Sequence, residues 1–337
     1  MKKETIIKKP FVLGVVLLLI IGAIVLFEKQ KPVQEAAGGL DFVGIDRWIN
    51  SEPLTMAQLK GKVVLVDFWT YTCINCIRTL PYLKEWDRKY RDQGLVIIGV
   101  HTPEFEFEKK YDNVLKAVQE QGIMYPVAQD NKYATWNAFQ NHYWPHEFLI
   151  DIYGKIREDH VGEGGYEETE QTIQRLLKER THKEMNTTIT KPAGAGDREG
   201  EKIGTPEIYM GYALTRGNFG NKEGLQSEQT INYTIPKRVY ANNVYLRGVW
   251  QNKDDHAELA GDKGSIILPY QAKNVNMVAS ADQGTNVRVF VNDKEQASVA
   301  IKDEKLYRLV NTEQYGQNIL RLEIEGKGLK VYTFTFG

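Results

Sequence analysis

Lys62-Val63-Val64-Leu65-Val66-Asp67-Phe68-Trp69-Thr70-Tyr71-Thr72-Cys73-Ile74-Asn75-Cys76-Ile77-Arg78-Thr79-Leu80-Pro81 reads as a strand that empties into a helix carrying two thiols. Val63 to Phe68 is a nearly unbroken apolar, β-branched run, the pattern of a strand buried on both faces of a parallel or mixed sheet. Asp67 alone interrupts it. From Ile74 to Tyr90 the period changes, and Ile77, Leu80, Leu83, Trp86 and Tyr90 recur at three- and four-residue spacing on one helical stripe. Cys73 and Cys76 therefore fall at the N-terminus of a helix. The unpaired N–H groups and positive dipole end found there stabilise an anion such as a thiolate.

That placement assigns roles. Cys73, at the helix start, is the attacking nucleophile. Cys76 lies one turn further in on the same face, nearer the core, where it can resolve a mixed disulfide on Cys73. Asp67 is costly to bury as a carboxylate, so it is either paired or protonated, and a raised pKa would suit it to accept a proton from Cys76. Two competing readings are a structural zinc half-site and a pair of inert core cysteines. Zinc requires four tetrahedral ligands, and the chain has only 2 cysteines. His142-Tyr143-Trp144-Pro145-His146 supplies a His-x-x-x-His, but far from the thiols.

The Val-Asp-Phe-Trp strand, the Cys-x-x-Cys that follows it and Pro81 beyond the second cysteine resemble the thioredoxin fold in its TlpA-like extracytoplasmic branch. Trp69-Thr70-Tyr71-Thr72-Cys73-Ile74-Asn75-Cys76 is similar to the thioredoxin-like portion of DipZ-type proteins. So are Gly99-Val100-His101-Thr102-Pro103-Glu104-Phe105, Tyr143-Trp144-Pro145 and the stretch from Gly162 to Thr169. The resemblance implies that Pro145 is a cis-proline facing the reactive cysteine, and that Trp144 lines a substrate groove with Trp69, Tyr71, Thr72, Ile74 and Asn75. Two departures stand out: Ile74-Asn75 separates the cysteines rather than Gly-Pro, and the multi-span electron-relay region of DipZ has no counterpart in these residues.

The chain of 337 residues, 42% of them hydrophobic, is long enough for two domains with attachments, and its net charge of -1 makes no electrostatic case for nucleic acid. Lys2, Lys3, Lys8 and Lys9 precede a charge-free run from Phe11 to Phe27, which is about the roughly 17 residues a membrane-spanning helix needs. A cleaved signal peptide is the alternative, but Glu28-Lys29-Gln30-Lys31 follows where a small-residue cleavage site belongs. The expected organisation is a cytoplasmic basic tail (1–9), a single transmembrane anchor (10–27) and a tether (28–40). A thioredoxin-like domain (41–180), a linker (181–205) and an all-β domain (206–337) follow. The lysines place everything beyond the anchor outside the cytoplasm, where disulfides persist.

Within the first domain, Leu95 to Val100 reads as the second buried strand, giving a right-handed βαβ unit. Glu104 to Gln121 reads as one surface helix with Phe107, Tyr111, Val114, Leu115 and Val118 inward. Glu167 to Glu179 closes the domain as an amphipathic helix. His101 and Glu104 end a strand at the carboxyl edge of the sheet, where substrate sites gather, yet an acidic strand-to-helix turn needs no functional explanation. Beyond the linker, short alternating runs predict a sandwich of two antiparallel sheets: Thr230 to Ile235, Val244 to Trp250, Ser265 to Tyr270, Val275 to Ala279, Val287 to Val291, Ile319 to Ile324 and Leu329 to Phe336. This region resembles a jelly-roll carbohydrate-binding module, whose Tyr209, Tyr212, Tyr245, Trp250 and Tyr270 either stack on sugars or fill the core.

The expected activity is that of a membrane-anchored thiol-disulfide oxidoreductase acting on protein disulfides, fed by a membrane electron donor and needing no bound cofactor or metal. The alternatives are a copper or zinc chaperone using Cys73, Cys76 and His142 or His146, and a module that binds glycan or protein.

Overall fold

The computed structural model describes residues 40–182, 188–192 and 204–337. The expected tail, anchor and most of the tether lie outside them, as does most of the expected linker. Among the described residues no helix is long and apolar enough to cross a membrane.

The N-terminal half is an α/β domain. Its strands are β1 (Arg47–Ile49), β2 (Val63–Trp69), β3 (Leu95–His101), β4 (Val127–Gln129), β5 (His146–Ile150) and β6 (Ile156–Val161). Its helices are α1 (Ile74–Tyr90), α2 (Tyr111–Glu120), α3 (Ala134–Ala138) and α4 (Tyr166–Thr181). The sheet order is β1-β4-β3-β2-β5-β6. β2 runs parallel to β3 and antiparallel to β5, so it is the central strand, and every one of its side chains is buried. That two-sided burial accounts for the unbroken apolar run. Val63, Leu65 and Trp69 pack beneath α1 with Leu80, Leu83, Trp86 and Tyr90, while Val64, Val66 and Phe68 face the opposite layer with Trp136, Phe139 and Phe148.

The surface helix expected over 104–121 is divided. A 3₁₀ turn, Glu106–Lys109, precedes α2, with Lys110 extended between them. The break follows from Glu108, whose carboxylate accepts hydrogen bonds from the Glu104 and Phe105 amides at 2.6 and 3.0 Å, satisfying the turn's first donors.

The C-terminal half is all β: β7 (Ile208–Tyr209), β8 (Thr230–Tyr233), β9 (Tyr245–Asn252), β10 (Ala257–Ala281), β11 (Thr285–Val291), β12 (Lys294–Ile301), β13 (Lys305–Glu325) and β14 (Leu329–Phe336). Two separate antiparallel sheets were expected, but the ladder is continuous. Ser265 to Tyr270 and Val275 to Ala279 belong to the single strand β10, 25 residues long, which pairs with β9, β13 and β14. Its register shifts between Ala272 and Asn274 and between Val275 and Asn276 bend it around the core, and bulges of this kind fragment an alternating sequence pattern. Trp250, Tyr245, Tyr270 and Tyr209 are buried, so four of the five aromatics considered for sugar stacking are packing residues.

The two halves share one hydrophobic cluster, in which Tyr71, Phe105 and Phe107 pack with Tyr209, Leu214, Val278, Leu306 and Tyr332. The Phe107 and Tyr332 rings meet edge to face, 4.7 Å between centroids. Around this contact Tyr209 donates to Glu104 at 2.5 Å, Asn113 donates to Glu304 at 2.7 Å, and Lys110 and Lys116 pair with Glu304 and Asp303, each at 2.8 Å.

Candidate active site

The site begins where β2 ends. Thr70, Tyr71 and Thr72 turn the chain from the carboxyl end of β2 into α1, and Cys73 caps the helix in an extended conformation. Its Sγ accepts a hydrogen bond from the Cys76 amide at 3.2 Å. The sulfur thus takes up one of the backbone donors that a helix N-terminus leaves unpaired. Cys73 is half-buried and Cys76 is buried, with both thiols free. Desolvation pushes the Cys76 thiol well up, reinforced by the hydrogen bond and charge of Cys73 and by the charge of Asp67. The outer sulfur is thus reachable and amide-stabilised, and the inner one retains its proton until a base takes it.

Asp67 lies beneath, only 1% exposed, and burial raises its pKa to about 7. Its Oδ1 has no hydrogen-bond partner among the described residues. In register with it on β3 is Gly99, where an added Cβ would stand 2.9 Å from Trp69 Nε1 and 3.2 Å from Tyr125 Cε2. On the other side, directly opposite on β5, stands Glu147. It is 3% exposed and its pKa is pushed well up by burial, then by Asp67 and Glu158. Glu147 escaped the sequence reading because only the β2–β5 register brings it beside Asp67.

The Trp144-Pro145 bond is cis, as the resemblance implied. Pro145 immediately precedes β5, whose first residue His146 pairs with Phe68 near the end of β2, so the proline and the cysteine loop occupy the same end of the sheet. Asn141 shapes this loop by accepting from the amides of His142 and Tyr143 at 2.7 and 3.1 Å, and its Oδ1 also meets the His146 ring at 2.7 Å. Trp144 is half-buried against Trp136, with centroids 4.4 Å apart, and donates Nε1–H to the Thr102 carbonyl at 3.1 Å. The aromatic the loop exposes is Tyr143, at 55%. It was not singled out in the sequence, where an exposed and a packed aromatic look alike.

Several residues expected to line the groove face elsewhere. Trp69 is fully buried, edge-on to His101. Tyr71 is covered by the β domain, stacks on His101 and donates to the Glu304 carbonyl at 3.3 Å. Thr72 is 1% exposed and donates to Glu108 at 2.6 Å, while Ile74 is buried on α1. Asn75 and Trp144 keep part of their surface in solvent. His101 and Glu104 are interior or interdomain groups: burial lowers the His101 pKa to about 3 and raises that of Glu104 to about 8. His142 is exposed, and His146 is held by Asn141 and by Asp159 at 3.1 Å. Among the described residues no group of three or more His, Cys, Asp or Glu could hold a metal ion.

Comparison with known proteins agrees with this geometry. A thioredoxin-like family model matches residues 61–156, and one described as a thioredoxin-like C-terminal domain matches 205–337. DipZ of Mycobacterium tuberculosis is 37% identical over 303 residues, which is 88% of this chain. The chain spans 42% of the length of that relative. Thiol-disulfide oxidoreductase YkuV of Bacillus subtilis is 31% identical over 41% of this chain and 93% of its own. ResA of Bacillus cereus, also a thiol-disulfide oxidoreductase, is 28% identical over 48% of this chain and 93% of its own. The chain belongs to the thioredoxin-like family.

Proposed function

We propose that this protein reduces or isomerises disulfides of other proteins outside the cytoplasm, anchored by its N-terminal apolar segment and using Cys73 and Cys76 as the reacting pair. The observation that carries the reading is the Cys73 sulfur at the helix N-terminus, held by the Cys76 amide, at the same end of the sheet as the cis-Pro145 loop. In the forward direction Cys73 Sγ attacks a substrate disulfide, forming a mixed disulfide and releasing one substrate thiolate. Cys76 then gives its proton to Asp67, its sulfur bonds to Cys73, and the second substrate thiolate leaves. Two electrons pass from the dithiol to the substrate, and a membrane electron donor restores them. Tyr143, Trp144, Asn75 and Pro145 form the face that meets the substrate.

The charge-free run from Phe11 to Phe27 behind four lysines supports the anchor and its orientation. The β domain serves as a support and docking module. Insulin reduction tests the activity: the full chain with dithiothreitol should precipitate the insulin B chain well ahead of dithiothreitol alone, and Cys73→Ser should return the rate to that background. A wild-type rate equal to background would refute the function. Recovery of the mature chain from the soluble fraction, starting near Ala36 or Gly38, would refute the anchor.

A further inference from the structure

Glu147, a buried titratable group beside the site, has no part in the mechanism above. Glu147 stands directly opposite Asp67 on the antiparallel β2–β5 pair, and such pairs bring Cβ atoms to about 4.5–5.5 Å on a common face. That face lies under α1, where Leu65 and Leu149, the next pair along, join the same cluster as Cys76. Among the described residues, no cation is among the groups that shift either carboxyl. The neighbouring elements add Cys76 from α1, Glu158 and His160 from β6, Tyr125 before β4 and Tyr166 from α4, while β3 contributes only Gly99. Two adjacent carboxylates without a cation cannot both ionise in such a setting, so they divide into one that titrates and one that keeps its proton.

We propose that Glu147 is a positioning residue for the thiol chemistry: it stays protonated beside Asp67, so that Asp67 can exist as the carboxylate that takes the proton of Cys76. A neutral carboxylic acid can stand in for the water that burial removed from Asp67, whose Oδ1 otherwise lacks a partner among the described residues. An ionised one would repel it. The assignment rests on the dithiol reading above. In the resolving step the Cys76 S–H proton passes to Asp67, the Cys73–Cys76 bond forms, the bond from Cys73 to the substrate sulfur breaks, and the leaving thiolate takes a proton from water.

The test is a stopped-flow reaction of the reduced full chain with a symmetrical aromatic disulfide whose released thiolate absorbs visible light. The first equivalent reports attack by Cys73, and the second reports resolution by Cys76. Absence of a first phase in the wild type, or a second phase surviving in Cys76→Ser, would overturn the dithiol reading itself. With those in place, the pH profile of the second phase should show an acid limb near 7 in the wild type. Asp67→Asn should abolish that limb and Glu147→Gln should leave it in place. Glu147→Leu, which offers no donor, should move it up by about one pH unit, so that resolution slows about tenfold below the limb. A Glu147→Leu profile that superimposes on the wild type, or a limb moved to lower pH in either Glu147 variant, would overturn the proposal. If the leucine variant fails to melt cooperatively, the glutamine profile decides alone.

Discussion

Thr72 separates a structural role from a substrate-binding one. Its hydroxyl is buried on the Glu108 carboxylate, which also gathers the Glu104 and Phe105 amides, so one glutamate ties the residue before Cys73 to the turn that meets the β domain. Thr72→Val should therefore lower the unfolding free energy by about 1–3 kcal/mol in a denaturant titration, the cost of leaving a buried acceptor short of a donor. An unchanged midpoint with a raised KM for substrate would return Thr72 to the groove. Glu104 adds a pH dependence at the same scale. Its folded pKa of about 8 lies above the ordinary carboxyl value, so the folded chain binds a proton that the unfolded chain releases. Stability is greatest below the unfolded pKa and declines as pH rises through the window up to about 8. Glu104→Gln should make that decline shallower, and an equally steep decline in the variant would contradict the account. Cys73, Cys76 and Asp67 stood out in the sequence through residue type and local spacing, and Pro145 through the family resemblance. Glu147 and Tyr143 did not, since a cross-strand register and the packing of one loop decide their positions.

At the scale of elements, β3 passes so close to its neighbours that Gly99 is the one residue that fits between Trp69 and Tyr125. A methyl there would stand within 2.9 Å of the Trp69 indole nitrogen, so Gly99→Ala should destabilise the protein by about 1–3 kcal/mol through overpacking. A melting temperature equal to the wild type would show that the rings give way. The β2-α1-β3 unit was plain from periodicity because a strand buried on both faces and an amphipathic helix have distinct signatures. The helix over 104–121 was overextended because the carboxylate that stops it, Glu108, is also a good helix former. In the β region the runs were seen, but their fusion into β10 was hidden by the bulges at Asn274 and Asn276.

At the scale of the molecule, the β domain is packed against the active-site loop. The sequence pointed to two domains joined by a linker over 181–205, with every candidate catalytic residue before position 181. Yet Tyr71, two residues before Cys73, is covered by that domain and bonded to the Glu304 carbonyl, and Phe105 and Phe107 are buried against Tyr209 and Tyr332. No local pattern announces such a contact, because an aromatic that packs across domains reads like one that packs within its own. Residues 40–337 should accordingly unfold in a single calorimetric transition, and a chain ending at His182 should melt at lower temperature with an exposed aromatic patch. Two independent transitions would restore the two-domain picture. The central claim, that Cys73 attacks and Cys76 resolves, is tested most directly by trapping. The full-length Cys76→Ser variant, incubated with a disulfide-bearing protein and quenched with acid, should accumulate a covalent complex through Cys73 that dithiothreitol releases, while Cys73→Ser should accumulate none. Equal trapping by the two variants, or trapping by Cys73→Ser alone, would contradict the account.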